Sequence, residues 1–374
     1  MRKVMTIVGT RPELIKMSRI ISLFDQHTDH VLVHTGQNYD YGLNQVFFED
    51  LEIRKPDFFL EVAESSAAAT IAKIIEKSDE VLGRELPEAL LLYGDTNSCL
   101  SVIEAKRRQI PIFHMEAGNR CFDQRVPEES NRKIVDHLSD INMVLTEHAR
   151  RYLIGEGVRP EKIIKTGSHM EEVLGFYREK ILNSMILERL QLEPTRYILF
   201  SAHREENVDD GNNLRSLIET LDALAIANNL PIIVSTHPRT RKRLASMQTE
   251  HLHPHVRFFE PFGFLDYIKL QMNAKCVVSD SGTLTEESAL LGFPAVMIRN
   301  AHERPEGMDS GTLIMSGLGK DNVLNSVEIV TQLQGQFYPH AQVVQDYKGG
   351  AVSEQVLKVV MSYQDYINRT VWYR

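Results

Sequence analysis

The chain has 374 residues, of which 43% are hydrophobic, and carries a formal net charge of −9. This length predicts two domains of ordinary size, and the acidic charge argues against binding to nucleic acid or to acidic membrane surfaces. No apolar run approaches the roughly 20 residues that cross a bilayer, and the first residues lead into a strand rather than a signal peptide. The three cysteines lack CxxC spacing, so we expect neither a disulfide framework nor a metal site in a cytoplasmic protein.

In the first half of the chain, apolar runs of strand length alternate with segments of helical length. The expected strands are residues 4–9, 30–35, 89–93, 110–115, 142–145 and 162–166. The expected helices are residues 12–24, 43–51, 67–82, 98–108, 128–138 and 147–155. This alternation predicts a parallel sheet that is covered by helices on both faces.

The same alternation returns after a charged, helical linker at residues 168–195. The expected strands are residues 197–201, 231–235, 256–259, 276–279 and 295–298, and the expected helices are 213–228, 239–247, 264–272 and 283–291. We therefore predict an α/β protein of two Rossmann-like doubly wound domains, residues 1–168 and 169–352, facing a central cleft. An amphipathic segment at about residues 353–374 is expected to return to the first domain.

Three acids mark the carboxyl edge of the first predicted sheet. Asp95 and Glu116 each follow an apolar strand, and Glu128 opens a helix across a loop. Ligands of open parallel sheets bind at this edge. Carboxylates that meet there repel one another, which raises at least one pKa and suits proton transfer.

Cations follow the first strand of each predicted domain. Arg11 lies in G-T-R-P-E at the start of a helix, with Lys16 one turn later. A cation beside the positive end of a helix needs an anion, so the loop indicates a phosphate site or simply a solvated arginine. His203, in H-R-E-E-N, is expected to be a functional strand-end histidine, the alternative being a solvated charge run.

A second loop of small and hydroxylated residues reads S-D-S-G-T at residues 279–283. Its backbone N–H groups suit a phosphate, although the same letters with Glu286 also fit a capping box. Glu287 is placed to accept ribose hydroxyls, and Arg304 to supply a second phosphate contact.

Together these motifs resemble the non-hydrolysing UDP-N-acetylglucosamine 2-epimerase family. The matching segments are G-T-R-P-E at 9–13, G-D-T at 94–96, H-M-E-A-G at 114–118, P-E-E-S-N-R at 127–132, H-R-E-E-N at 203–207, D-S-G at 280–282, E-E at 286–287 and E-R-P-E at 303–306. They follow the family's order and span nearly the whole chain. The resemblance implies the glycosyltransferase-B arrangement of the two domains.

The resemblance also implies the reaction. Members of the family invert C2 of a UDP-2-acetamido sugar by eliminating UDP to give a glycal and adding it back after reprotonation on the other face. This isomerase chemistry needs acids and bases on both faces of C2 and cations around the pyrophosphate. We therefore expect a UDP-sugar as the ligand, no cofactor or metal, and a homodimer.

Residue roles carry over by motif position. The family's catalytic residues correspond to Asp95, Glu116, Glu128 and His203. Its UDP- and substrate-binding residues correspond to Arg11, Lys16, Arg132, Tyr267, Ser281, Gly282, Thr283, Glu287 and Arg304.

Several segments depart from the family pattern, at residues 35–41, 118–125, 166–170 and 280–287. These variants resemble the capsule and O-antigen branch that forms UDP-N-acetyl-L-fucosamine from UDP-2-acetamido-2,6-dideoxy-L-talose. That substrate is expected first, with UDP-N-acetylglucosamine as the alternative. Because Asn38 replaces the histidine of the family's regulatory segment, we expect no activation by UDP-N-acetylglucosamine.

Three other functions fit a UDP-sugar cleft. They are a glycosyltransferase of the same architecture, a hydrolysing 2-epimerase and a non-catalytic UDP-sugar sensor. The first would not need three carboxylates at the sugar end, and the intact acid set argues against the sensor.

Overall fold

A computed structural model describes residues 1–37, 48, 50–202, 211–236, 252–334 and 344–374. The chain divides into two compact units, the first comprising Met1–Phe176 with Asp346–Arg374 and the second Tyr177–Gln345. Each unit contains a parallel sheet with helices, which confirms the predicted α/β class with two parallel-sheet units. Among the described residues, no helix combines the length and apolar character that crossing a membrane requires.

The sheet of the first unit has seven strands in the order β3-β2-β1-β4-β5-β6-β7, and all neighbouring pairs are parallel. The strands are β1 (Lys3–Val8), β2 (Asp29–His34), β3 (Phe58–Phe59), β4 (Ala89–Tyr93), β5 (Ile112–Met115), β6 (Ile141–Val144) and β7 (Ile163–Lys165). The α-helices described in this unit are α1 (Arg11–His27), α2 (Ala67–Glu85), α3 (Val102–Arg107), α4 (Pro127–Leu138), α5 (Glu147–Gly155), α6 (Met170–Phe176) and the C-terminal helix (Val352–Thr370), which packs on α1.

The sheet of the second unit has six strands in the order β10-β9-β8-β11-β12-β13, again parallel throughout. The strands are β8 (Ile198–Ser201), β9 (Ile232–Ser235), β10 (Val256–Phe259), β11 (Cys276–Ser279), β12 (Ala295–Met297) and β13 (Ile314–Met315). The α-helices described in this unit are α7 (Arg178–Leu182), α8 (Ile186–Leu190), α9 (Gly211–Asn228), α10 (Phe264–Asn273), α11 (Leu284–Leu291), α12 (Pro305–Asp309) and α13 (Lys320–Leu333); the C-terminal helix Val352–Thr370 is then α14.

Strand sequence explains why both sheets are covered. Every residue of β4, A-L-L-L-Y, is buried, and so is every residue of β8 and β11. Strands that are buried on both faces read as continuous apolar runs. In each unit the strand order reverses between two central neighbours, β1 and β4 in the first and β8 and β11 in the second. The carboxyl ends of these strands are where an open sheet binds its ligand.

The structure departs from the expected elements in a few places. The expected helix 98–108 is a 3₁₀ turn (Asn97–Ser101) followed by α3. Helix α13 was not expected, although Val323 and Val327 are buried at helical spacing and would have identified it. The expected helix 239–247 and most of 43–51 lie outside the described residues.

Candidate active site

The first two predicted acids follow neighbouring strands of the first unit. Asp95 lies two residues after β4, and Glu116 directly follows β5. Tyr93, which ends β4, stands opposite Met115, which ends β5, in the parallel register. Both acids therefore leave the sheet at one edge, beside the reversal point between β1 and β4.

Donors from three segments hold the carboxylate of Glu116. Nζ of Lys16, on α1, lies 2.7 Å from Oε2, and the hydroxyl of Tyr93 donates to the same oxygen. The amide of Asn119 donates to Oε1 over 3.3 Å. Glu116 has a φ of 59°, a left-handed conformation that is uncommon for residues with a side chain. Such backbone strain clusters at functional sites and persists where the surroundings fix it.

Asp95 is paired with an arginine from α4. Nε and one terminal nitrogen of Arg132 lie 2.8 and 2.7 Å from Oδ2 of Asp95, and the other terminal nitrogen lies 2.7 Å from Glu129. Asn131 donates to the backbone carbonyl of Asp95 over 3.0 Å. Asp95 and Glu116 thus each have a cation as partner, which offsets the repulsion expected between the acids.

Glu128 is the second residue of α4 and is partly buried, at the helix end whose dipole favours a carboxylate. Its neighbour Glu129 is fully buried and accepts backbone hydrogen bonds from Cys121 at 3.1 Å and Phe122 at 3.2 Å. Burial of Glu129 opposes ionisation, but these bonds and the Arg132 guanidinium hold its pKa below the ordinary value. Glu129 therefore fixes the loop before α4, from which Glu128 projects.

Glu13, which was not among the predicted site residues, has a buried carboxyl that contacts the loop between β1 and α1. Glu13 accepts hydrogen bonds from the backbone N–H groups of Gly9 and Thr10, both at 2.7 Å, and from the hydroxyl of Thr96 at 2.8 Å. Burial raises the pKa of Glu13 from 4.5 to about 7. Glu13 therefore joins the loop that leads into Arg11, the first residue of α1, to the loop that carries Asp95.

Asp136, on α4, connects the loops that carry Asp95 and Glu116. Its carboxylate lies 2.9 Å from Nδ1 of His114, whose Nε2 lies 2.7 Å from the carbonyl oxygen of Gly94. It also accepts the N–H of Gly118 at 3.2 Å and pairs with Arg120 at 2.7 Å. Although burial alone would raise it, the bond from His114 and the nearby charges hold the pKa of Asp136 below its ordinary value.

In the second unit, a chain of hydroxyls lies under the predicted phosphate loop. The hydroxyl of Ser201 lies 2.8 Å from that of Tyr267 and 2.7 Å from that of Ser279, which accepts the N–H of Ser281 at 3.0 Å. Thr283 precedes α11 without capping it through its side chain, so the capping-box alternative is wrong. Its hydroxyl instead lies 3.0 Å from that of Ser281.

Tyr267 and Glu287 come together beside this loop. Burial, with the charge of Glu287, raises the pKa of the Tyr267 hydroxyl above its ordinary value. Glu287 is buried on the first turn of α11 and accepts a hydrogen bond from Gln271 over 2.6 Å. The two residues are therefore placed as a pair, next to partly exposed backbone at residues 281–283.

Two buried arginines support the same loop from the segment after β12. Arg304 donates to Glu286 over 3.1 Å, and Arg299 pairs with Glu303 at 3.1 Å. A Cβ atom on Gly282 would lie 2.5 Å from a carboxylate oxygen of Glu303, so a larger residue there would require the Glu303 side chain to shift. Arg304 therefore has a buried carboxylate partner in the structure, in addition to any phosphate that it contacts.

His203 lies outside the described residues, so its predicted role stays a prediction. Within the ranges that the structure describes, no group of three His, Cys, Asp or Glu side chains is arranged to hold a metal ion. Glu13, Tyr93 and Glu129 were not among the predicted site residues. Glu129 lies within the motif P-E-E-S-N-R, and a glutamate three residues after Thr10 at a helix start is typical of a cap and would have identified Glu13.

Comparisons with known proteins show the family to which the chain is similar. A family model described as UDP-N-acetylglucosamine 2-epimerase matches residues 23–361. Among solved structures, UDP-N-acetylglucosamine 2-epimerase from Rickettsia bellii is 59% identical over 100% of both chains, with a TM-score of 0.95. The Methanocaldococcus jannaschii UDP-GlcNAc 2-epimerase, in complex with UDP-GlcNAc and UDP, is 29% identical over 96% of this chain and 99% of that chain, with a TM-score of 0.88.

A relative with a different sugar is similar over almost the same length. UDP-2,3-diacetamido-2,3-dideoxy-D-glucuronate 2-epimerase of Pseudomonas aeruginosa is 32% identical over 359 residues, which are 95% of this chain and 98% of that protein. Relatives that are about equally similar to this chain are therefore named for different sugar substrates.

Proposed function

Since the chain belongs to the UDP-N-acetylglucosamine 2-epimerase family, and is therefore an isomerase of UDP-sugars, we propose that three acids invert C2 of the sugar by elimination and re-addition of UDP. These three residues, Asp95, Glu116 and Glu128, are called the acid cluster below. The observation that carries this proposal is the pair of acids at adjacent strand ends, each with its own cation. Glu116 is held by Lys16 and Asp95 by Arg132. Carboxylates on separate supports suit proton transfer at two faces of one carbon.

In the elimination, each bond that breaks is matched by a bond that forms. A carboxylate takes the C2 proton, the C2–H electron pair becomes the C1=C2 double bond, and the C1–O pair leaves with UDP. In the reverse step UDP attacks C1 while a carboxylic acid returns a proton to the other face of C2. Asp95, Glu116 and Glu128 supply these acids and bases, as the resemblance implied, and cations stabilise the departing pyrophosphate.

Most of the proposed UDP-binding residues belong to the second unit. The partly exposed residues 281–283 directly precede α11, and N–H groups at the start of a helix favour phosphate. Glu287 and Tyr267 lie beside it and suit the ribose and the uracil ring. Arg11 and His203 are the proposed pyrophosphate cations.

For the sugar, we propose UDP-2-acetamido-2,6-dideoxy-L-talose, converted to UDP-N-acetyl-L-fucosamine for a surface polysaccharide, with UDP-N-acetylglucosamine as the second candidate. Support comes from where the family departures lie. Asn119 donates to Glu116, and the ring of His169 meets that of Tyr93 at 5.1 Å. Departures from the family pattern next to the acid cluster change the surroundings of the sugar. The loop on the UDP side keeps the family's D-S-G and E-E residues.

Incubation with a panel of UDP-sugars in deuterated water tests the proposal. An epimerase incorporates deuterium at C2 and keeps the nucleotide attached. Release of free sugar and UDP would indicate a hydrolysing enzyme, turnover that requires an acceptor would indicate a transferase, and binding without exchange would indicate a sensor. The preferred 6-deoxy-L sugar is contradicted if only UDP-N-acetylglucosamine exchanges. Light scattering of the same preparation tests the proposed homodimer.

The three acids can be tested separately. Asp95→Asn, Glu116→Gln and Glu128→Gln should each lower C2 exchange by about 10²–10⁴-fold, the usual effect of losing one general acid or base. Affinity for UDP should stay nearly unchanged, because UDP is bound elsewhere in this proposal. Near-normal exchange in all three variants would rule out the proposed mechanism.

A further inference from the structure

Tyr93 contacts the acid cluster without belonging to any motif of the sequence analysis. Tyr93 is the last residue of β4 and is 2% exposed, and its hydroxyl donates to Oε2 of Glu116. The same oxygen lies 2.7 Å from Nζ of Lys16. One carboxylate oxygen therefore receives both a cation and a neutral donor, and a hydrogen bond that involves an ionised group is stronger than one between neutral groups.

The ring of Tyr93 is fixed by neighbours from two other elements. Nζ of Lys16 lies 5.1 Å from the ring centroid, and His169 meets the ring edge-on at 5.1 Å with the planes 86° apart. A buried ring with such neighbours has little freedom to turn, so its hydroxyl points in one direction.

Glu116 needs such a support more than most residues. Its φ of 59° lies in the left-handed region, which residues with a side chain occupy only when their surroundings hold them there. Asn119 contacts the other oxygen from the same loop as Glu116. Lys16 and Tyr93 therefore supply the contacts that come from the rigid sheet and helix.

We propose that Tyr93 is a positioning residue for C2 chemistry, which holds the Glu116 carboxylate in a fixed orientation and takes no part in binding UDP. The inference rests on the proposed function, in which Glu116 exchanges a proton with C2. A base whose direction is fixed before the reaction needs no reorganisation at the moment of proton transfer.

The test uses Tyr93→Phe, which removes the hydroxyl and keeps the ring that Lys16 and His169 contact. With the UDP-sugar that the wild type exchanges fastest, kcat for C2 deuterium incorporation should fall about 10- to 100-fold, the effect of losing one hydrogen bond to a charged group. KM for the sugar and Kd for UDP should stay within about twofold. An unchanged kcat, or an equal loss in UDP affinity, would overturn the proposal.

Tyr197→Phe is the matched control. Tyr197 is also fully buried, and its hydroxyl donates to the backbone carbonyl of Leu270 over 2.6 Å in the second unit. The same atom is removed, so any general loss of stability is comparable, but kcat should remain near that of the wild type. Equal losses of kcat in the two variants would show that Tyr93 acts only on the fold.

A double-mutant cycle with Glu116→Gln tests whether Tyr93 acts through Glu116. In that background most of the kcat loss from Tyr93→Phe should disappear, and a full loss would contradict the proposal. The same cycle can be measured on the midpoints of urea unfolding, which does not require enzymatic activity. The double variant should be less destabilised than the two single shifts together, whereas additive shifts would show that the contact is not formed. If the wild type exchanges no C2 deuterium from any UDP-sugar, the proposed function fails, and the unfolding cycle still decides the contact.

Discussion

The buried carboxyl of Glu13 makes the stability of the protein depend on pH. Burial raises the pKa of Glu13 from 4.5 to about 7, so the folded protein binds this proton more tightly than the unfolded chain does. The contribution of Glu13 to stability is fully present below pH 4.5 and is lost as the pH rises through about 7.

The size of this effect follows from the two pKa values. A tenfold change in proton affinity corresponds to about 1.4 kcal/mol, so the whole contribution is about 3 kcal/mol. Most of it is lost between pH 5 and pH 8.

Glu13→Gln should remove this dependence and still fold. Oε2 of Glu13 accepts the N–H groups of Gly9 and Thr10, while Oε1 accepts the hydroxyl of Thr96. A glutamine oxygen can keep the first two bonds, and its NH₂ group can donate to the hydroxyl, which also accepts. The variant should therefore match the wild type near pH 5 and become the more stable protein near pH 8.

The assay is chemical unfolding of the wild type and Glu13→Gln from pH 5 to pH 8.5, followed by far-ultraviolet circular dichroism. Glu76→Gln removes a carboxyl from an exposed position of the same unit and serves as the control. The difference between the free energies of unfolding at pH 5 and pH 8 should shrink by about 2–3 kcal/mol in Glu13→Gln only. The same pH dependence in the wild type and Glu13→Gln would refute the reasoning.

The other predictions concern backbone space, a buried ion pair and the leaving group. Gly9→Ala should lower the free energy of unfolding by about 1–3 kcal/mol, because its Cβ would lie 1.9 and 2.3 Å from two hydroxyl oxygens; Gly155→Ala, with no atom within 4 Å, should change it by less than about 1 kcal/mol. Arg304→Met should cost about 3–5 kcal/mol by leaving Glu286 as a buried charge, and adding Glu286→Leu should recover much of the loss. His203→Ala should slow C2 exchange by about 10²-fold or more if His203 stabilises the departing phosphate.

Each of these predictions has a clear contradicting result. Equal stability changes for the two glycine variants, measured by urea unfolding, would show that Gly9 is not constrained by space. An Arg304→Met protein as stable as the wild type would show that the Glu286 carboxylate does not depend on this partner. Wild-type C2 exchange in His203→Ala would assign the leaving-group role to another residue.

Much of the fold could be read from the sequence because the signals are local. The run A-L-L-L-Y predicted β4 with its observed bounds, and the helix Glu147–Gly155 was predicted with its observed bounds. The position of Asp95 and Glu116 after apolar strands was enough to place both at the same sheet edge, since all carboxyl ends of a parallel sheet face one way.

What the tertiary structure decided is which side chain meets which. Lys16 and Glu116 are 100 positions apart in the chain, Glu13 and Thr96 are 83 apart, and Arg132 and Asp95 are 37 apart. The alternation of strands and helices is local, whereas these pairs depend on β1 lying next to β4 and β4 next to β5. For that reason the sequence by itself determined the acids and the edge where they stand, and only the folded sheet determined the partners that hold each acid in place.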